Sequence, residues 1–394
     1  MSLSCQKFYH LLYNWYEINH RILPWRETSD PYCIWLSEII LQQTRVVQGL
    51  EYYHRFVTTY PTVESLATAD EDEVLRLWQG LGYYSRARNL HKAAKLIVNQ
   101  PSLANPHKSQ ITNHKSQIIF PATFDELRAL PGVGDYTAGA IASFAYDLPY
   151  PALDGNVYRV LARLYDCDEA FDTSAGKKYF HKLAEELLDR EHPRLFNSAI
   201  MEFGALHCLP QSPDCTNCPL QQFCKGYAAG TAELLPVRKP RPTLRDRWFS
   251  YTIYIYNSQK SEVRDQKSEI SNQQSAISNQ QSVYTLIHQR KQKDIWQHLY
   301  EFPLVEHTTE AEWQEYKPSA VSNQQSAISN QQSAVRVLPP ITHILSHQRL
   351  HARFFVVPVD ELPVIADTLT VTWQALDDYA LSRLTLKALE SVFR

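Results

Sequence analysis

The 394-residue sequence contains no run of about 18 or more apolar residues, the length that a transmembrane helix requires. Its first residues also lack the pattern of a secretory signal peptide, because acidic and aromatic side chains stand where a basic start and a plain apolar core are needed. We therefore expect a cytoplasmic protein without a membrane partner. The chain is long enough for two domains with separate hydrophobic cores.

The sequence also lacks a basic excess, since its formal net charge at pH 7 is −3. Proteins that bind nucleic acid usually carry such an excess, so a nucleic-acid ligand would require cations concentrated on one face. Two clusters could supply these cations, and an ordinary solvated surface is the alternative for both. The clusters are Arg86, Arg88, Lys92 and Lys95, and Arg238, Lys239, Arg241, Arg245 and Arg247.

A turn with two glycines, Leu130–Gly134, lies between two runs of helical periodicity, Phe124–Leu130 and Asp135–Phe144. Gly132 and Gly134 allow the backbone to approach a ligand closely and to point consecutive N–H groups toward it. The following helix N-terminus adds partial positive charge, which suits an anion such as a DNA phosphate. The alternative is a plain connection between helices, because one short motif is only a hypothesis.

The pattern of apolar residues divides the chain into two regions. Helical periodicity predicts a helical domain over 1–230, proline and basic residues indicate a linker over 231–246, and aromatic and β-branched runs predict an α+β domain over 247–394. The predicted helices include Phe8–Ile18, Tyr32–Gln43, Glu51–Thr59, Glu71–Gly80, Lys177–Leu188 and Asp377–Val392, and the predicted strands are Trp248–Tyr256, Val283–His288 and Arg353–Val357.

Three segments rich in Ser, Asn and Gln, with a seven-residue repeat, interrupt this plan at 105–119, 257–283 and 320–335. About one position in seven is apolar, whereas the seam of a coiled coil needs two. Such sequences bury too little surface to offset the entropy lost on ordering. We therefore predict disordered loops at these three places.

Four cysteines form a C-x6-C-x2-C-x5-C ladder: Cys208, Cys215, Cys218 and Cys224. Thiolates at this spacing can surround one metal site, either zinc or an iron–sulfur cluster, and the spacing alone does not decide between them. Disulfides are not expected in a cytoplasmic protein. Cys33 and Cys167 are expected to be buried among apolar side chains.

Several strings together resemble one family, the adenine DNA glycosylases (MutY) of the endonuclease III-like helix–hairpin–helix superfamily. The strings are LPWR at 23–26, SEIILQQTRV at 37–46, GLGYYSRARNL at 80–90, LPGVGDYTAGAI at 130–141, LDGNVYRV at 153–160 and MEFGALHC at 201–208. The resemblance implies an all-α catalytic region of two helical lobes with DNA phosphate bound at Gly132 and Gly134. It also implies a [4Fe–4S] cluster on the cysteine ladder at 208–224, with a structural zinc as the weaker alternative.

Glu38 distinguishes this family from other members of the superfamily. It shares a helix face with Ile34 and Leu41, so its carboxyl is expected to point inward. An apolar environment favours the neutral form of a carboxyl, which suits a general acid. The alternative is a buried glutamate paired with Arg26 or Arg45. In the family that the chain resembles, the matching glutamate protonates adenine.

Cleavage of a nucleoside bond needs a protonated leaving base and an ionised carboxylate that faces the sugar cation, the division of labour found in glycoside hydrolysis. The resemblance gives these roles to Glu38 and Asp154. It implies that Tyr136 hydrogen-bonds among the catalytic carboxylates, with simple packing as the alternative, and that Asn156 orients Asp154 or the attacking water. Bifunctional relatives have a Schiff-base lysine at the position of Tyr136, so we predict base removal without strand cleavage.

Base flipping is required because the target bond is inaccessible inside the base stack. The resemblance implies that Gln42 and Gln43 fill the space that the flipped base leaves. For Gln42, a polar surface residue is the alternative. Tyr83 stacks near the opposite base. The full set of substrate-binding residues that the resemblance implies is Trp25, Arg26, Leu41, Gln42, Gln43, Thr44, Tyr83, Glu202, Ser346 and His347.

The string IWQHLYEFP at 295–303 resembles a strand and turn of Nudix-like domains. A pyrophosphatase would need the metal-binding string G-x5-E-x7-R-E-x2-E-E, which does not follow here. The resemblance therefore implies a C-terminal domain that recognises 8-oxoguanine through a loop at 343–347. The family has Phe where this chain has Leu345, and an aliphatic wedge loses base stacking worth about 1–3 kcal/mol. Discrimination is expected to be weaker, or carried more by Ser346 and His347.

We therefore expect a monofunctional glycosylase of base excision repair, which acts as a monomer on double-stranded DNA with adenine opposite 8-oxoguanine or guanine. One alternative is an enzyme of the same scaffold for mismatched thymine or a pyrimidine lesion, which would lack the second domain. Another is a catalytically silent damage binder or iron–sulfur sensor. Such a protein is expected to have lost Glu38 or Asp154, and both are present.

Overall fold

The computed structural model of the protein describes residues 3–99, 120–240, 243–258, 282–318 and 335–392. The predicted loop at 105–119 lies outside these ranges, as do Arg241 and all but the ends of the loops predicted at 257–283 and 320–335. Within the described ranges, no helix combines the length and apolar character needed to cross a bilayer. The chain forms two compact units, Met1–Ala69 with Arg86–Arg241, and Asp70–Ser85 with Pro242–Arg394.

Helices form most of the first unit, as the periodicity predicts. Numbered along the whole chain, the helices are α1 (Leu3–Asn19), α2 (Pro31–Leu41), α3 (Val46–Thr59), α4 (Val63–Thr68), α5 (Glu71–Leu77), α6 (Ser85–Asn99), α7 (Phe124–Arg128), α8 (Asp135–Tyr146), α9 (Gly155–Tyr165), α10 (Ser174–Leu187), α11 (Pro193–Leu206), α12 (Lys225–Ala228), α13 (Glu310–Glu315) and α14 (Arg383–Val392).

Two predicted helices extend three or more residues beyond the helix in the structure. Helix α5 ends at Leu77 instead of Gly80, because Gly80 and Gly82 adopt φ values of 100° and 73° and turn the chain out of the helix. The final helix begins at Arg383 instead of Asp377. The Ser382 hydroxyl accepts the backbone N–H of Thr385 at 3.1 Å and caps the helix there.

The buried helix α8 positions the first unit's site. Its residues from Thr137 to Ala145 are all buried, and it packs against α2, α7 and α11. Helix α2 starts at Pro31, where the Asp30 side chain accepts the Tyr32 N–H at 2.9 Å, and it too is largely buried. The side chains of α2 and α8 therefore meet in the interior.

The second unit is built on a mixed sheet. Its strands run in the order β3-β2-β1-β7-β5, with β4 beside β1, β6 beside β7 and β8 beside β2. The pair β1–β7 is parallel and the other pairs are antiparallel. The strands are β1 (Arg245–Asn257), β2 (Val283–Gln289), β3 (Tyr300–Glu301), β4 (Leu304–His307), β5 (Arg336–Val337), β6 (Ile341–Ile344), β7 (Gln348–Val359) and β8 (Thr368–Thr372).

Alternation along β1 divides its side chains between two cores. Phe249, Tyr251 and Ile253 pack with α14, whereas Tyr254 packs in a second cluster on the other face. The three predicted strands are thus present, within β1, β2 and β7. Residues 70–85, including α5, also pack in this unit, although the predicted boundaries place them in the helical domain.

Candidate active site

A cavity of about 960 Å³ opens in the first unit, a volume typical of ligand sites. Side chains from distant parts of the sequence converge on it. The predicted site residues that line the cavity are Trp25, Arg26, Glu38, Leu41, Gln42, Gln43, Thr44, Tyr136, Asp154, Asn156 and Glu202.

Glu38, on α2, is only 4% exposed. Tyr136, in the first turn of α8, donates a hydrogen bond from Oη to Glu38 Oε2 at 2.8 Å. Burial raises the pKa of Glu38, and the nearby Asp154 adds to this, while Arg26 and the Tyr136 hydrogen bond oppose it without cancelling it. Burial therefore favours the neutral carboxylic acid at Glu38 more than at an ordinary, exposed glutamate. Since Tyr136 occupies Oε2, the acidic proton can reside on Oε1.

Asp154 caps the N-terminus of α9. Its Oδ1 accepts the backbone N–H groups of Asn156 and Val157, both at 2.8 Å, and its Oδ2 accepts the Asn156 side-chain amide at 2.8 Å. Burial raises the pKa of Asp154, although these hydrogen bonds and the charge of Arg159 act in the opposite direction. The sequence predicts a turn here, and the cap adds the reason why the carboxylate is fixed in orientation.

Arg159, which sequence reasoning missed, connects Asn156 to the cysteine ladder. Its Nη2 donates to Asn156 Oδ1 at 2.9 Å and its Nε donates to the carbonyl oxygen of Cys208 at 2.8 Å. Arg159 is three residues after Asn156 on α9, so the two share a helix face. That spacing was the signal in the sequence that could have identified it.

A second carboxylate in the cavity has the opposite character. Arg21 donates to both oxygens of Glu202, at 2.5 and 2.9 Å. Burial alone would raise the pKa of Glu202, but the hydrogen bonds and charge of Arg21 outweigh it and lower the pKa. The cavity thus contains a carboxyl favoured as the acid, Glu38, and one held as the anion, Glu202. Sequence reasoning did not identify Arg21 as the partner of Glu202.

The end of α2 carries the predicted space-filling residues. Gln42 Nε2 donates to Thr137 Oγ1 at 3.3 Å, and Gln43 adopts a positive φ of 56°. Arg86 Nη1 donates to the carbonyl oxygens of Ile40, at 2.9 Å, and of Gln42. A guanidinium at this position satisfies carbonyls that the helix end leaves open.

Two arginines of the predicted basic clusters are therefore not surface cations, and that expectation is wrong for them. Arg86 is buried in the contacts just described. Arg247 is buried in the second unit, where it donates to Glu306 at 2.7 Å and to Asp294 at 2.8 Å. Each guanidinium is buried because acceptors from other elements lie beside it. The spacing of residues in the sequence does not reveal these acceptors. In contrast, Lys92, Lys95 and Arg245 are exposed.

The glycine turn has the backbone that its sequence predicts. Gly132 adopts φ 79°, and a Cβ there would lie 2.9 Å from Asn89 Cβ. Gly134 is the N-cap of α8 and is exposed. Since glycine has no side chain to cap the helix, the first backbone N–H groups of α8 are left for water or an anion.

The four ladder cysteines line one small cavity with Arg163. Arg163 is 1% exposed and its Nη1 donates to Cys208 Sγ at 3.2 Å. Elsewhere, Cys167 is buried as predicted. The prediction for Cys33 is wrong, because it is only partly buried and its thiol donates to Asp30 Oδ2 at 3.4 Å.

The remaining predicted residues lie in the second unit. Ser346 and His347 are exposed in the turn between β6 and β7, where Ser346 Oγ and His347 Nδ1 are 2.9 Å apart. Leu345 is partly buried against the unit's own core, and its role as a wedge stays a prediction. The preceding Ile344 is 64% exposed, because side chains along β6 alternate between the two faces.

Comparison with known families finds two separate matches along the chain. Residues 36–190 match the profile of the HhH-GPD superfamily base excision DNA repair proteins, and residues 275–391 match that of the NUDIX domain. These matches bear out the predicted helical region and the Nudix-like C-terminal domain.

Known proteins similar to the chain include two adenine DNA glycosylases of Buchnera aphidicola. Identity is 39% over 221 residues for that of subsp. Baizongia pistaciae, covering 56% of this chain and 58% of that protein. It is 35% over 253 residues for that of subsp. Schizaphis graminum, covering 64% and 69%. Across the curated relatives compared, the match spans between 36% and 69% of the relative's own length. A solved structure of a thermostable thymine-DNA glycosylase is 26% identical, with a TM-score of 0.49, over 57% of this chain and 97% of that chain.

Proposed function

The chain belongs to the adenine DNA glycosylase family, and from this premise we propose that it excises adenine from DNA in base excision repair. The observation that carries the proposal is the convergence of Glu38, Tyr136 and Asp154 on one cavity, with a 2.8 Å hydrogen bond from Tyr136 to Glu38. A buried acid and a fixed carboxylate are the two groups that cleavage of a nucleoside bond requires.

In the proposed reaction, Glu38 donates its proton to a ring nitrogen of the flipped adenine. The bond between the base and C1′ then breaks, and the electron pair leaves with the protonated base. Asp154 stabilises or captures the resulting sugar cation, and Asn156 holds Asp154 in place. Addition of water to C1′ gives the abasic sugar, and the proton that the water loses restores the acid.

Tyr136 supports a monofunctional reaction. A strand-nicking glycosylase needs an amine that forms a Schiff base with the sugar. The phenol of Tyr136 cannot form one, and burial beside the carboxyls of Glu38 and Asp154 raises its pKa, so it stays a hydrogen-bond donor. We propose that the product is an intact strand with an abasic site.

We further propose that the preferred substrates are duplexes with adenine opposite 8-oxoguanine or guanine. Trp25, Arg26 and Glu202 would contact the flipped adenine, and Gln42 and Gln43 would fill the space that it leaves. Leu41 and Thr44 would also contact the substrate. Gly132 and Gly134 would hold a phosphate through the free N–H groups of α8. In the second unit, Tyr83, Ser346 and His347 would contact the opposite base.

The proposal is tested by single-turnover excision on a duplex with adenine opposite 8-oxoguanine, beside the same duplex with adenine opposite thymine. We expect strand breaks only on the first duplex and only after heating in alkali, which cleaves at abasic sites. Breaks without alkali would contradict the role given to Tyr136. Tight binding without excision would instead indicate a silent damage sensor or another target base, and a panel of lesions would separate these.

We also propose a [4Fe–4S] cluster on Cys208, Cys215, Cys218 and Cys224. Four thiols lining one cavity are a donor set that such a cluster uses. Among the described residues, no three His, Cys, Asp or Glu side chains are grouped closely enough to hold a metal ion, so the choice of a cluster over zinc rests on the position of the ladder in the family that the chain resembles. When bound, the cluster would cross-link the loop, while Arg163 donates to Cys208 Sγ.

The purified protein should contain about four irons and four acid-labile sulfides per chain. Cys218→Ser should lose most of this iron and the visible absorbance of the cluster, because one of four ligands is removed. Cys5→Ser, outside the ladder, is the control and should keep both. Tightly bound zinc in a colourless wild-type protein would contradict the proposal.

A further inference from the structure

Residues 70–85 lie within the helical domain in sequence but pack in the second unit. This segment contains α5 and then Tyr83, which adopts φ 47° and is 46% exposed. A tyrosine in the left-handed region is uncommon and must be held by its surroundings. The contacts on either side of Tyr83 show how the segment is held.

The first turn of α5 is attached to the sheet by its acidic side chains. Asp72 accepts hydrogen bonds from Tyr300 Oη at 3.0 Å and from Gln289 Nε2 at 3.3 Å. Glu71 contacts His298 Nδ1. Burial and the neighbouring Asp72 raise the pKa of Tyr300 to about 12, so the phenol remains a donor. A negative charge also stabilises the N-terminus of a helix. Asp72 therefore stabilises α5 by its charge and binds α5 to the sheet by its hydrogen bonds.

The other end of the segment is attached at Leu381. Gln79 Oε1 accepts the Leu381 N–H at 3.1 Å, and Tyr84 Oη donates to the Leu381 carbonyl oxygen at 3.3 Å. Tyr84 is buried at 4% exposure. Its exposed neighbour Tyr83 therefore lies between two anchors, Gln79 and Tyr84, that both end on the C-terminal fold.

The geometry points to four positioning residues that hold Tyr83 on the second unit: Asp72, Gln79, Tyr84 and Tyr300. In this position Tyr83 would contact the base opposite adenine. This inference rests on the proposed function. Tyr83 is then carried by the same unit as Ser346 and His347, although its place in the sequence suggests the catalytic domain. The second unit would contact the opposite base through residues 70–85 as well as through the turn that holds Ser346 and His347.

A double-mutant cycle on the full chain tests this inference. The variants are Asp72→Ala, Tyr83→Ala and their combination, and the readout is the single-turnover rate on adenine opposite 8-oxoguanine. If Tyr83 stacks on a base, Tyr83→Ala should lower the rate at least about 5-fold. Asp72→Ala should lower it in the same direction, and the double variant should be no slower than Tyr83→Ala, because both changes remove the same interaction.

Glu73→Ala is the matched control, since Glu73 lies in the same first turn but is exposed. It should leave the rate within about 2-fold, as surface substitutions usually do. Tyr300→Phe removes only the hydrogen bond to Asp72, and it should lower the rate in the same direction as Asp72→Ala but by less. It replaces Asp72→Ala in the test if Asp72→Ala folds poorly. Faster hydrogen exchange at residues 79–84 in Tyr300→Phe would support the anchoring directly.

Multiplicative losses in the double variant, or an unchanged rate in Asp72→Ala, would overturn the inference. Excision by the wild type separates this failure from failure of the proposed function. If the wild type excises no adenine, the proposed function is wrong, and this inference is wrong with it.

Discussion

Glu38→Gln should lower the single-turnover rate of adenine excision by about 10²–10⁴-fold, the usual contribution of a general acid. Glutamine has nearly the same shape and can still accept the Tyr136 hydrogen bond, but it has no acidic proton to donate. The loss corresponds to about 3–5 kcal/mol of transition-state stabilisation. The measurement is excision at saturating enzyme, with the affinity for the duplex determined separately.

The dependence of this rate on pH gives a second measure of Glu38. Excision needs Glu38 protonated and Asp154 ionised, so the rate should fall as pH rises through the pKa of Glu38 and as pH drops through that of Asp154. Burial raises the pKa of both Glu38 and Asp154, so the alkaline fall and the acid fall should both come at a higher pH than for ordinary carboxyls. The residual rate of Glu38→Gln should lack this alkaline fall. Because the two carboxyls interact, each limb reports on the pair.

Glu51→Gln is the matched control, because Glu51 is an exposed glutamate on the next helix, α3. It should keep the wild-type rate and pH profile. A Glu38→Gln variant that retains more than about a tenth of the wild-type rate would show that another group supplies the proton. Equal melting temperatures for the two variants would rule out unfolding as the cause of a large loss.

The burial of Glu38 could be predicted because most residues around it on α2 are apolar, and nine of the eleven residues of this helix are buried. Ile34 and Glu38 share a face of α2, and both are buried. The Gly132 turn was equally predictable, since its positive φ is a local property of glycine. Local rules thus predict the burial of Glu38 and the backbone of the Gly132 turn without any knowledge of the tertiary structure.

Arg86 and Arg247 show where such rules stop. Both look like surface cations in sequence, yet each is buried against acceptors 40 or more residues away, such as Ile40 and Glu306. A charged side chain is buried only where other elements supply hydrogen-bond or ion-pair partners. The spacing of residues in the sequence does not show which partners the tertiary structure supplies. The same limit applies to the packing of residues 70–85, because the contact of Asp72 with Tyr300 joins parts far apart in the chain.

Asp154→Asn should lower the excision rate by about 10²–10³-fold, the effect of removing one preorganised electrostatic contact with a transition state. The structure allows this charge to be removed with little loss of stability. Asparagine caps helices as well as aspartate does, and its carbonyl oxygen can still accept the N–H groups of Asn156 and Val157. The amide nitrogen of asparagine cannot accept the Asn156 side-chain amide as Oδ2 does, so the free energy of unfolding should fall by about 1 kcal/mol, the contribution of one hydrogen bond.

Asp30→Asn is the matched control for this change. Asp30 caps α2 as Asp154 caps α9, with its side chain accepting the Tyr32 N–H at 2.9 Å, but it does not line the cavity. The same substitution there should leave the rate within about 2-fold. Asp154→Ala should be as inactive as Asp154→Asn and less stable than that variant by about 1 kcal/mol, because the cap is lost.

These three variants separate the two roles of Asp154. Melting temperature follows the cap, whereas the excision rate follows the charge, since only the charge can stabilise the sugar cation. A rate in Asp154→Asn within about 10-fold of the wild type would mean that the carboxylate serves only α9. In that case Glu202, the carboxylate that Arg21 holds in its ionised form in the same cavity, would be the remaining anion to face the cation.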